Sequence, residues 1–254
     1  MSEQHIVGNE SQVHHQDQER EQKLELAISL KNVTVNYRLR NAHHFNLKRA
    51  LANGITRKKE DAEIISALQN FSLDVPKGSR IGISGPNGSG KSTLLSVIAG
   101  AITPTSGTCN VNGKVLALLG GPNEGLDPEQ TGRENALSLS IKLGFSSVQA
   151  NNALDDIQEF SGLGHRFDHP VYTYSSGMQV RLRFSTITSF KADILLVDEG
   201  IGAADSEFNE RANDRLAKFY AESGTLVLAS HATEILDTHC EQMIDLRNRL
   251  VTQD

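Results

Sequence analysis

The stretch GPNGSGKST, residues 85–93, sets three glycines, a lysine and a serine at the spacing G-x-x-x-x-G-K-[ST]. It follows the short apolar run RIGISG and leads into a helix-like run, the strand–loop–helix setting that a phosphate-cradling loop needs. Gly85, Gly88 and Gly90 admit backbone conformations that turn successive N–H groups inward onto phosphate oxygens. Pro86, Asn87, Ser89 and Thr93 belong to the same loop and helix start. Lys91 supplies a point charge for the terminal phosphates of a nucleotide such as ATP, and Ser92 offers a hydroxyl to Mg2+. The plain alternative is a glycine-rich turn that matches by accident; the strand before it and the apolar helix after it disfavour that.

Two further runs end in residues able to complete such a site. ILLVDE, residues 194–199, reads as a buried strand ending in acids, and ligands of parallel sheets bind at that strand end. Asp198 is placed to hold Mg2+ through water, and Glu199 to polarise an attacking water; a strand-end acid that only caps the next turn is the alternative. His231 closes TLVLASH, where it can reach the γ-phosphate; alone, it would read as a satisfied core histidine. YSSGM, residues 174–178, precedes the helix-like run QVRLRFSTITSF, with Ser175 just before the helix and Gly177 in its first turn. That pattern builds an anion site at a helix N-terminus. One phosphate loop already occupies such an end, so a second exceeds what one triphosphate needs from one chain.

The elements around these residues read as an α/β protein. Leu26, Ile28 and Leu30 alternate, then Val33, Val35 and Tyr37 alternate after a one-residue shift, which implies a bulge or two strand segments. ALQNFSLDVPKG reads as a strand closed by a Pro-Lys-Gly turn. RIGISG, ILLVDE and TLVLASH are apolar on both faces, as a buried parallel sheet requires. RENALSLSIKLG, VQANNALDDIQEFSG and SGMQVRLRFSTITSF read as helices inserted within this core. Residues 1–23 are polar and read as a mobile tail whose His5, His14 and His15 are solvated rather than metal-bound. The 254 residues, 38% hydrophobic, suffice for one sizeable core. A net charge of −6 argues against a nucleic-acid partner, and Cys109 and Cys240 lack metal-ligand spacing. No apolar run is long enough to span a bilayer.

Taken together, the phosphate loop, YSSGMQVRL shortly before ILLVDE, and the closing His231 resemble the ATPase subunit of an ATP-binding-cassette (ABC) transporter. The resemblance covers about residue 24 to the end. It implies a P-loop NTPase core of the ABC type over residues 24–254, with an antiparallel β subdomain and a helical subdomain at about 122–190. It implies a homodimer with two ATP molecules sandwiched head to tail, so that Ser175 and Gly177 meet the γ-phosphate held by the other protomer. GAADSEF resembles the loop after the catalytic glutamate, with Asp205 in the position that faces across the dimer, and Tyr37 resembles the aromatic that stacks on adenine; a strand-end core tyrosine is the alternative. Lys91, Glu199 and His231 then carry catalysis, with Ser92 and Asp198 on Mg2+. The membrane permease would be a separate chain, and this chain would sit peripherally on the cytoplasmic face of the bacterial inner membrane.

Departures from the commonest signature narrow the group. Tyr174, Ser176 and Met178 replace leucine, glycine and glutamine. YSSGM followed by RL, together with TGREN at residues 131–135, resembles exporters of lipid-linked polysaccharide: O-antigen, capsule or teichoic acid. The glutamine that usually links the metal and water to the membrane partner has no counterpart in LLGGPNEGLDPEQTGREN; Gln130 falls too late, and Glu124 is the available substitute. Soluble cassette ATPases of repair or translation fit less well, because the insertion is short and only one GxxxxGKS occurs. The basic stretch after Tyr37 reads as a solvated loop, a contact to the permease, or a site for the pyrophosphate of a lipid-linked glycan. On the last reading, reversing the charges of Lys48, Arg49, Arg57, Lys58 and Lys59 lowers glycan export in cells while ATP turnover by the isolated chain is kept; unchanged export removes that role.

Overall fold

The structure is a computed structural model that describes residues 25–39, 63–120, 124–198, 205–222, 224–247 and 250–251. The tail, the basic stretch and Glu199 lie outside the described residues. Strand β1, Leu26–Leu39, pairs antiparallel with β2, Glu63–Pro76, and with β4, Ser106–Val111, in the order β2-β1-β4. The shift in alternation is a bulge within one strand. Leu30 faces Leu73, Val33 faces Phe71, and Asn32 between them takes φ 50°. The extra residue returns Val33 and Val35 to the face already buried by Ile28 and Leu30.

The second sheet runs in the order β5-β6-β7-β3-β8-β9. Its strands are β3 (Arg80–Ser84), β5 (Val115–Leu118), β6 (Ile194–Asp198), β7 (Thr225–Ala229), β8 (Gln242–Asp245) and β9 (Leu250–Val251). All pairs are parallel except β8 with β9. Every residue of β6 and β7 is buried, which is why both read as unbroken apolar runs rather than as alternating ones. Helix α1, Lys91–Ile98, buries Leu94, Leu95 and Ile98 against one face, in the core shared with the antiparallel sheet. On the other face, Phe184 and Ile187 of α4 (Ser176–Thr188) join Phe208, Ala212 and Leu216 of α5 (Ser206–Ala221), with Leu236 of α6 (Thr233–His239).

A third core, around Phe167, Val171, Tyr174 and Leu182, lies among α2 (Gly132–Lys142), α3 (Ser147–Ser161) and α4. Both α2 and α3 open on complete capping boxes, Thr131 with Glu134 and Ser146 with Gln149. These reciprocal bonds account for the Thr and Glu of TGREN. Its asparagine is held too: Asn135, 2% exposed, donates to the carbonyls of Asp127, Gln130 and Thr131 and accepts from the Asp127 amide. Arg133 pairs with Asp168 at 2.6 Å.

One polar cluster joins α3, α4 and α5. The Arg215 guanidinium donates to both carboxylate oxygens of Asp156, at 2.6 and 3.1 Å, and lies 3.6 Å over the Phe160 ring. The Ser189 hydroxyl donates to the same carboxylate at 2.6 Å. Partial burial alone would raise the Asp156 carboxyl, but the Arg215 and Ser189 donors and the Arg215 charge outweigh it and hold it below its ordinary range. A carboxyl lowered in the folded state stabilises above its unfolded pKa, near 4, and the gain is lost as the pH falls through the lower folded value. Asp156→Asn is therefore expected to cost about 0.5–1 kcal/mol at pH 7. In urea titrations the gap from the unaltered chain should narrow as the pH falls through that lowered folded value.

Candidate functional site

Three neighbouring strands bring the site together. In the register of the parallel sheet, Ile83 of β3 and Asp198 of β6 both align with Ala229 of β7. The phosphate loop, Asp198 and the Ser230–His231 segment therefore leave the sheet side by side at its carboxyl edge. The Ser230 amide donates to the Ile83 carbonyl at 3.2 Å, which holds the His231 segment against the start of the loop. Asp198 is 8% exposed. His231 is exposed, so the core-histidine alternative does not apply to it.

Loop geometry explains its glycines. Gly90 caps α1 at φ 100°, and a Cβ there would stand 2.6 Å from the Ala67 carbonyl oxygen of β2. A Cβ on Gly85 would meet the Ser89 hydroxyl at the same separation, 2.6 Å. Lys91 is 6% exposed, and its ammonium donates to the Gly85 carbonyl at 2.7 Å and the Pro86 carbonyl at 3.3 Å. The charge is thus already desolvated and held by the loop it serves. The buried Ser89 hydroxyl has no hydrogen-bond partner among the described residues. Pro86, Asn87 and Gly88 are exposed at the loop's crest, and Ser92 is exposed in the first turn of α1. This cradle suits an oxyanion, and a hydroxyl with a carboxylate, Ser92 with Asp198, is the hard-oxygen donor set that Mg2+ takes.

Tyr37 reaches the same helix. Its hydroxyl lies 3.3 Å from Thr93 Oγ1, and the residue is 40% exposed. A core tyrosine would be covered, so that alternative falls; the exposed ring flanks the phosphate loop.

The Ser175 end stands on another layer. Ser175 is the N-cap of α4, with extended φ and ψ, and its hydroxyl accepts from the Met178 amide at 3.3 Å. Ser175 and Ser176 are exposed, while Tyr174 before them is buried. Among the described residues, neither Ser175 nor Gly177 bonds to residues 85–93. Asp205 sits at the start of α5, where its carboxylate accepts from the Phe208 amide at 2.9 Å and faces Arg181 of α4 at 3.5 Å. The Phe208 amide first, and the Arg181 charge after it, hold this carboxyl below its ordinary range.

Sequence reasoning missed two arginines that fix α4. Arg181 reaches Asp205, and Arg183, 6% exposed, donates to the Leu119 carbonyl beyond β5. Burial pushes the Arg183 guanidinium down, partly offset by the charge of Glu124. Their signal was a doubled basic residue on a helix that otherwise reads as core. Glu124 stands over Gly120, and Gln130 accepts from Ser138 on α2.

Known proteins share this arrangement. The family model described as ABC transporter matches residues 68–202. The chain is 35% identical over 235 residues to the O-antigen export system ATP-binding protein RfbE of Yersinia enterocolitica, covering 90% of this chain and 97% of that protein. It is 39% identical over 219 residues to the corresponding RfbB of Myxococcus xanthus, 85% of this chain but only half the length of that relative. The teichoic acids export ATP-binding protein TagH of Enterococcus faecalis matches at 39% over 70% of this chain and 39% of its own length. Among solved structures, the dimeric structure of MJ0796, a bacterial ABC transporter cassette, superposes with TM-score 0.70 at 26% identity, over 89% of this chain and 97% of that one. This chain belongs to the ABC transporter family and is an ATPase cassette of that family.

Proposed function

We propose that two copies of this chain bind and hydrolyse two Mg·ATP at a shared interface and thereby power export of a lipid-linked polysaccharide through a separate membrane permease. The nucleotide chemistry rests on one observation: the phosphate loop, Asp198 and His231 leave three adjacent strands at one sheet edge, while Ser175 opens toward solvent from another layer. A helix end that is exposed, capped and lacks bonds to its own phosphate loop suits a ligand held by a second copy. The polysaccharide reading is supported by the names of the similar proteins and by YSSGM and TGREN. None of the described helices is long and apolar enough to cross a membrane. On this reading a partner supplies the transport path, and this chain attaches at the membrane's cytoplasmic face.

In this mechanism Lys91 turns from the Gly85 and Pro86 carbonyls to the terminal phosphates, exchanging two neutral acceptors for a charged one. The loop amides between Gly85 and Lys91 cradle the remaining phosphate oxygens. Ser92 and Asp198 would hold Mg2+, which when bound neutralises charge developing on the phosphoryl group. Glu199 orients the attacking water and His231 approaches the γ-phosphate. Tyr37 lies under the base. Ser175 and Gly177 of the second copy close the site from above, and Asp205 faces across the dimer.

Glu199→Gln should lower kcat by ~10²–10⁴-fold while leaving a dimer that persists in Mg·ATP, read by steady-state phosphate release and by light scattering. A mixing test addresses shared ownership. Lys91→Ala and Ser175→Ala chains should each be inactive alone. Mixed, they should regain part of the wild-type rate, because one of the two sites in a mixed pair has both an intact Lys91 and an intact Ser175. No gain on mixing would mean that each chain completes its own site.

A further inference from the structure

Gly132 is a helical residue with no need of glycine's conformational range; its φ lies outside the left-handed region, and glycine inside a helix costs up to ~1 kcal/mol against alanine. A close approach explains it. A Cβ on Gly132 would stand 2.3 Å from the Tyr174 hydroxyl oxygen and 2.9 Å from the Phe167 carbonyl oxygen. That hydroxyl donates to the Arg166 carbonyl at 2.6 Å, and the ring is buried at 7% exposure beside Phe167, Val171 and Leu182. Burial pushes the phenol up from its ordinary value, which keeps it a hydrogen-bond donor.

The two segments that meet at this contact are bonded along their length. The Val171 amide donates to Gln130, the Tyr172 amide to Pro128, and the Gly132 amide to His169, at 2.9, 2.9 and 3.2 Å. Arg133 and Asp168 close the far side at 2.6 Å. Residues 127–133, which lead into α2, thus form one body with residues 166–174. The next residue is Ser175.

We propose that Tyr174 is a positioning residue for Ser175: its hydroxyl, seated between Gly132 and the Arg166 carbonyl, makes the setting of the α4 N-terminus follow residues 127–133, the segment that leads into α2. The inference rests on the reading that Ser175 serves a nucleotide held by a second copy. The direction of control runs from residues 127–133 of one chain to the neighbour's ligand. Movement of residues 127–133 re-aims Ser175 without altering the phosphate loop of the same chain.

The test uses the full chain carrying Glu199→Gln, so that Mg·ATP is not consumed. Tyr174→Phe keeps the ring and removes the hydroxyl. It should raise the ATP concentration for half-maximal dimer, by sedimentation, about tenfold, the scale of one hydrogen bond taken from a buried carbonyl, while the chain stays fully folded by urea titration under the assay conditions. Gly132→Ala should weaken dimerisation too. The double variant should be less impaired than the two single effects combined, because the lost hydroxyl vacates the closest contact. Hydrogen exchange on monomers without nucleotide gives a second reading: Gly132→Ala should speed exchange at the Met178 and Gln179 amides. Parental dimerisation by Tyr174→Phe overturns the proposal, as does a loss of dimer that only tracks the unfolded fraction. Strictly additive single effects, or unchanged exchange at Met178 and Gln179, also overturn it. Should the Glu199→Gln parent itself stay monomeric in Mg·ATP, the shared-nucleotide reading fails, and the exchange experiment still decides the coupling.

Discussion

Burial of β6 and β7 on both faces is the constraint from which the site follows. With the strands covered on both faces, no side chain ahead of their carboxyl ends can meet an aqueous ligand. Polar groups can appear only where the strands end. Parallel pairing then sets the ends of β3, β6 and β7 at one edge, because each crossover returns the chain to run in the same direction. A phosphate loop, an acid and a histidine that are far apart in the chain become neighbours for that reason.

The helical layer obeys a different constraint. Phe145, Phe184 and Ile187 pack it on the apolar face of β5 and β6, and a few directional polar links fix it further. Arg183 reaches the Leu119 carbonyl, Arg181 reaches Asp205, and Arg215 bridges to Asp156. Its own core, around Phe167 and Tyr174, is separate from the two cores that flank the sheet. A layer with an independent core and directional ties has a defined position that a change at those ties can alter. The chemistry of phosphate binding and the presentation of Ser175 are thus carried by two bodies in one chain.

Much of the fold could be read in advance. The long β1, with its phase shift, was visible because a single inserted residue moves side chains to the opposite face, and the structure resolves the shift as a bulge at Asn32. The three helices of the insertion were visible from their periodicity and turn residues. Strand β5 went unread, because four residues, VLAL, carry too little pattern to separate a strand from a loop. Helix α5 went unread although its apolar positions Phe208, Ala212 and Leu216 recur every four residues; acids and arginines between them dilute the signal. The capping boxes at Thr131 and Ser146 were legible in principle, since each needs only four consecutive residues.

The sequence by itself determined the local chemistry: which loop is suited to cradle a phosphate, which acid ends a buried strand, and which serine caps a helix. These properties depend on neighbours within a few positions, and so on residue type and spacing alone. Only the tertiary structure decided that Tyr37 is exposed beside Thr93, that Lys91 is held by its own loop's carbonyls, and that Gly132 is glycine to make room for Tyr174. Those are contacts between segments distant in sequence or bent back on themselves. Their distances are set by how whole layers pack, which no short window of residues encodes.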